Sequence, residues 1–204
     1  MPHIKDDVID EKRRAFLTKA TLAMGAVGVT AACTPFVTSL LPSEKAIAAG
    51  APVRVKVNNM KIGDQLTVMW RGKPIWIICR SESMLTSLQS DTPLLRDPNS
   101  TVDQQPPYAK NSYRSRNPKY LVLVGICTHL GCIPTYRPDP KSVSLDWPGG
   151  FFCSCHGSKF DLAGRVFKGV PAPINLEVPP YVFLNDDEIL IGVNEVPKDE
   201  KQIS

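Results

Sequence analysis

Histidine is scarce in this sequence, with three in 204 residues beside six cysteines. Charge is also modest. The formal net charge is only +4 and the aromatic share 7%. The basic excess sits at the N-terminus and between Arg96 and Lys119 rather than in an aromatic-interleaved stripe, which argues against nucleic acid as a partner. The composition carries no mark of overall disorder, and no internal repeat of longer period is present. The length suits one ordinary domain with an appendage and leaves no room for a second full domain. Scarcity makes placement informative. Two of the three histidines and four of the six cysteines fall in two short runs, GICTHLGC (Gly125–Cys132) and FFCSCHGS (Phe151–Ser158).

Clustered cysteines in a chain of this size mean a metal site or a disulfide, and the compartment decides between them. The N-terminus bears on that. Residues 11–19 read EKRRAFLTK, and the next 22, Ala20 to Leu41, carry no charged side chain. As a helix rising about 1.5 Å per residue this run covers roughly 33 Å, against a hydrocarbon core of about 30 Å, so a transmembrane span kinked at Pro35 is expected ahead of a soluble helical hairpin. Lys5, Lys12, Arg13, Arg14 and Lys19 all precede it, which by the positive-inside rule leaves the N-terminus in the cytoplasm and the bulk of the chain outside. Arg13-Arg14-Ala15-Phe16-Leu17 resembles a twin-arginine export signal, and Ala46-Ile47-Ala48 resembles a cleavage site. Retention is expected, because the run through Leu41 and Pro42 is fuller than a short signal core. The chain then divides into an anchor, 1–42, a flexible hinge, 43–52, and a domain, 53–204.

From Val53 the pattern turns to β. VRVKV, DQLTVMW and PIWIICR read as a strand and a hairpin turning at Arg71–Pro74, with a short helix over Ser81–Gln89. Asp91–Pro118, rich in Pro, Asn, Ser and Gln, reads as a long surface excursion with solvated charges. Tyr120–Ile126 is a strand delivering Cys127. Tyr181–Phe183 and Glu188–Val193 close the domain around an Asn185-Asp186-Asp187 turn. Trp70, Trp76 and Trp147 are expected to pack, and Cys33 and Cys79 to act as small apolar residues.

Each cysteine-rich run offers one Cys and one His at ligand spacing, Cys127 with His129 and Cys153 with His156, and leaves Cys132 and Cys155 over. An all-cysteine site is the obvious rival, and it would have to use both Cys153 and Cys155. A structural zinc site with two Cys and two His suits the ligand types, but not the usual zinc spacings.

The pair C-T-H-L-G-C and C-S-C-H-G-S resembles the Rieske iron-sulfur proteins of quinol-cytochrome c reductases. The likeness extends to the twin-arginine anchor, the short hinge, LLRDP, RNPKYLVLVGICTHLGC and Val170–Leu176. It implies an all-β Rieske domain, an antiparallel β-sandwich with a small cluster-binding subdomain at about 121–164, carried on one N-terminal transmembrane helix. It further implies one 2Fe-2S cluster, with Cys127 and Cys153 on one iron, His129 and His156 on the other, and a disulfide between Cys132 and Cys155. Ser158 would donate to cluster sulfur, helped by the N–H groups of Gly131 and Gly157, with Pro171-Ala172-Pro173 as the covering loop. Leu130 would help dock the tip or else pack in the core.

The implied activity is electron transfer, with a proton through a ligand histidine, from quinol to a c-type cytochrome. Cytochrome b and a c-type cytochrome are the implied partners, in a dimeric complex of the bacterial inner membrane with the domain periplasmic. The hinge would let the head swing between donor and acceptor. Two departures stand out: Val170 where the family has Gly, with Gly169 one place earlier, and Phe160 where many members have Tyr. A Rieske subunit of arsenite oxidase and a structural zinc module are the alternatives.

Overall fold

The structure, a computed structural model, describes residues 10–197. Lys5 and the outer ends of the expected segments 1–42 and 53–204 lie outside the described residues. The chain divides after Ile47 into two compact units.

In the first unit, helix α1 spans Glu11–Thr38, with the Asp10 side chain accepting from the N–H groups of Lys12 and Arg13. A carboxylate at this N-cap satisfies otherwise unpaired donors and suits the positive end of the helix dipole. The helix continues through Pro35, and none of its residues is buried. It is long and apolar enough to cross a membrane. Thr18, Thr21, Thr30 and Thr34 each donate a hydroxyl to the carbonyl four residues back. Satisfying those hydroxyls within the helix lowers the cost of placing so mildly apolar a sequence in hydrocarbon. A turn leads to α2, Glu44–Ala49, so the segment expected to be a flexible hinge contains a short helix.

The second unit holds nine strands among the described residues: β1 Val53–Lys56, β2 Gln65–Trp70, β3 Lys73–Cys79, β4 Tyr120–Val124, β5 Thr135–Arg137, β6 Gly150–Cys153, β7 Ser158–Phe160, β8 Tyr181–Asn185 and β9 Glu188–Ile191. Helix α3, Glu82–Ser90, follows β3, and the Ser81 side chain caps it by accepting from the Met84 N–H. The strands form three antiparallel sheets, ordered β1-β9-β8, β2-β3-β4 and β5-β6-β7. Early and late strands meet in the first sheet, with Val53 opposite Ile191. In the second, β4 is buried at every position, which is why its sequence is an unbroken apolar run rather than an alternation. One core joins all three sheets, and Trp76 of β3 stacks on Phe151 of β6 with ring centroids 5.3 Å apart. All three tryptophans are buried, as expected.

Residues 91–118 depart from the expected surface excursion. Leu95, Asp97, Ser100, Gln105, Ala109, Arg114 and Ser115 are buried. Arg114, expected on a solvated face, is fully enclosed and donates to the carbonyls of Ala163 and Gly164 and to Gln105 Oε1. Burial pulls its pKa down to about 10. Arg114 satisfies carbonyls of the chain that follows β7, while Gln105 and Asp97 bond the backbone of their own segment, so a polar sequence becomes interior structure.

Candidate metal centre

The two motif runs fold into the same turn twice. After β4 the Gly131 N–H donates to the Cys127 carbonyl at 3.0 Å, and between β6 and β7 the Gly157 N–H donates to the Cys153 carbonyl at 2.9 Å. Both glycines adopt positive φ, +82° and +80°, a conformation costing an L side chain about 1–2 kcal/mol. That repeat explains why one pattern occurs twice. It also corrects the expectation that these two N–H groups would donate to cluster sulfur, since they close the ligand turns instead.

The disulfide between Cys132 and Cys155 joins the turns, with Cα atoms 6.7 Å apart. Cys127 and Cys153 are free and buried. Burial pushes the Cys153 thiol pKa up, and a hydrogen bond with Cys127 adds to the effect. The sulfurs of Cys132, Cys153 and Cys155 lie within 4.8 Å of one another, but the disulfide leaves only Cys153 of these as a free thiol. His129 and His156 meet edge to face, with ring centroids 4.8 Å apart and planes at 89°. His129 Nδ1 is buried and has no hydrogen-bond partner among the described residues. Leaving such an atom unsatisfied costs about 1–3 kcal/mol unless something binds there. Two adjoining thiols and two adjacent imidazoles, one with a buried nitrogen that has no hydrogen-bond partner among the described residues, fit a metal cluster.

Ser158 is fully buried and stands opposite Cys153 in the β6–β7 register. Its Oγ accepts the Ala172 N–H at 3.0 Å. Thr128, between the two candidate ligands of the first turn, donates to the Ile174 carbonyl at 2.7 Å. Its position inside the motif was the available signal, but a hydroxyl in a turn carries no mark of a long-range bond. At the departure before Pro171, Gly169 takes the positive φ of +71°, and Val170 packs against the core. Phe160 is buried in the same core as Cys127 and Cys153. Leu130 is 70% exposed, on the docking side of the two expected roles.

Comparison with known proteins bears directly on this geometry. A family model described as the Rieske [2Fe-2S] domain matches residues 104–180, and one described as the ubiquitinol-cytochrome C reductase Fe-S subunit TAT signal matches residues 4–43. A ubiquinol-cytochrome c reductase iron-sulfur subunit of Allochromatium vinosum is 55% identical over 186 residues, covering 90% of each chain. The chain belongs to the ubiquinol-cytochrome c reductase iron-sulfur subunits. The subunit of the same description from Blastochloris viridis is 42% identical, covering 91% of this chain and 96% of that one. Among solved structures, "Hyperthermophilic respiratory Complex III" aligns with a TM-score of 0.47 at 25% identity, over 84% of this chain and 98% of that one. As an iron-sulfur subunit of this family the chain carries one Rieske 2Fe-2S cluster. Arsenite oxidase and a zinc module are not favoured by these relatives.

Proposed function

We propose that this iron-sulfur subunit accepts one electron from a membrane quinol, with a proton through a ligand histidine, and passes the electron to a c-type cytochrome within quinol-cytochrome c reductase. The observation that carries the reading is the edge-to-face pair of His129 and His156 beside two buried thiols, with the buried His129 Nδ1 unpartnered. Cys127 and Cys153 would hold one iron, and His129 and His156 the other. When bound, such a cluster supplies a one-electron couple whose potential is raised from about −400 mV to as much as +300 mV by neutral imidazoles in place of two thiolates. His129 would ligate through Nδ1, leaving Nε2 to hold the proton, and the exposed ring of His156 presents a second proton site at the surface. The disulfide holds the two ligand turns at a fixed separation. Exposed Leu130 and Ile133 flank them as an apolar docking rim.

The domain limits follow the same reading: an anchor through residue 42, a tether at 43–52 and the Rieske domain beyond, with its cluster-binding part at about 121–164. Lys12, Arg13, Arg14 and Lys19 ahead of the uncharged run favour a cytoplasmic N-terminus and a periplasmic domain at the bacterial inner membrane. Cytochrome b and a c-type cytochrome are the partners, in a dimeric complex with translocase activity. Metal analysis with electron paramagnetic resonance of the reduced subunit tests the site. Iron and sulfide with a Rieske-type spectrum are expected, and in His156→Cys a cluster that still assembles should lose its high potential. Zinc in the purified subunit, or a His156→Cys cluster within a few tens of millivolts of wild type, would refute it.

A further inference from the structure

The loop Val170-Pro171-Ala172-Pro173 has few means of holding itself, because its two prolines carry no N–H. Side chains from other elements hold it instead. Besides the Ala172–Ser158 and Thr128–Ile174 bonds, the Arg96 guanidinium donates Nη1 to the Pro173 carbonyl and Nη2 to the Val170 carbonyl, each at 3.2 Å. One planar group thus bridges both ends of the loop. The backbone that carries it is itself fixed. The Arg96 N–H donates to the Val166 carbonyl at 2.9 Å, Leu95 pairs with Phe167, and the Lys168 N–H returns to the Leu94 carbonyl at 2.9 Å.

The bridge bears on the metal centre through Ser158. With the Ala172 N–H filling one acceptor position on Oγ, the single hydroxyl proton is turned away from Ala172 and left to donate elsewhere. Residues directly opposite in an antiparallel pair share a face, which sets that hydroxyl beside Cys153. We propose that Arg96 is a positioning residue for the redox centre: by bridging the Val170 and Pro173 carbonyls it holds Ala172 on Ser158 Oγ and fixes the direction in which the Ser158 hydroxyl donates. This rests on the reading of Cys153 as a cluster ligand. Shape is decisive, because a lysine ammonium cannot span two carbonyls as the guanidinium fork does. Charge alone is a weak rival, since Arg96 is exposed and its field is screened by water and salt.

The test uses the full-length, cluster-loaded subunit in detergent, with Arg96→Lys, Arg96→Gln, Ser158→Ala and both double variants. Both Arg96 variants should lower the potential by the equivalent of three- to tenfold weaker electron uptake, roughly 28 to 59 mV for a one-electron couple. The Ala172 amide should exchange hydrogen at least tenfold faster than in wild type. In the Ser158→Ala background neither Arg96 change should shift the potential further, because coupled groups are non-additive. Wild-type potential in Arg96→Lys, a full shift persisting in the double variants, or unchanged Ala172 exchange would each overturn the proposal while leaving the cluster assignment standing. Wild-type potential in Ser158→Ala overturns it together with the reading of Ser158 at the cluster.

Discussion

Phe160→Tyr puts a single hydroxyl into the wall of the metal centre, and its outcome can be worked in both directions. Phe160 is fully buried, lies two residues beyond Ser158 on β7, and shares a core with Cys127 and Cys153. Side chains two apart on a strand project from the same face, so the ring belongs to the face that carries Ser158 opposite Cys153. The family resemblance implies that a tyrosine here would donate its hydroxyl to a ligating sulfur. Such a bond stabilises the more negative, reduced cluster. A net worth of about 0.5 to 1.5 kcal/mol corresponds to a potential raised by roughly 20 to 65 mV. If no sulfur accepts the hydroxyl, the same substitution buries an unsatisfied group at a cost of about 1–3 kcal/mol. Film voltammetry and thermal unfolding on the same preparation separate the two cases. A higher potential with stability kept is expected. An unchanged or lowered potential with the cluster intact and stability lost would show that this position does not tune the redox centre.

Asp161→Asn should destabilise the domain by about 3–5 kcal/mol, because it leaves Arg165 buried without its carboxylate; the two meet at 2.7 Å and are 0% and 1% exposed. Denaturant unfolding checks this, and a loss below about 1 kcal/mol would contradict it. Cys132→Ser should leave the four proposed cluster ligands in place while costing about 2–5 kcal/mol. Free thiols at both Cys132 and Cys155 in protein taken from the membrane would contradict the linkage seen between them. Asp91 is pushed up from 3.8 to about 6, first by burial and then by the charge of Asp161, with Arg165 partly opposing. Its folded pKa exceeds the unfolded one, so its stabilising contribution is complete below pH 3.8 and is lost as pH rises through about 6. Asp91→Asn should therefore be more stable than wild type at pH 8 relative to its difference at pH 3.5, as read by unfolding at both values, and the opposite trend would refute the assignment.

Much of the site was legible because its signals are local. A rare residue type concentrated in two short runs, one Cys and one His in each, identified the ligand candidates, and an uncharged run behind an Arg-Arg pair identified the anchor. Strand periods placed β1 to β4, β8 and β9, since alternation and apolar runs report on neighbours in the chain. The tertiary structure alone decided what the polar residues do. Arg114 reads as surface charge until its guanidinium is seen closing carbonyls some 50 residues away, and Arg96 looks unremarkable until it meets Val170 and Pro173, more than 70 residues on. Gly131 and Gly157 could be either cluster donors or turn formers, and only their hydrogen bonds to Cys127 and Cys153 assign them. The physical reason is the same throughout: hydrophobic periodicity is set within a segment, whereas a buried donor finds its acceptor only when distant segments pack together, and the sequence around it carries no trace of that partner.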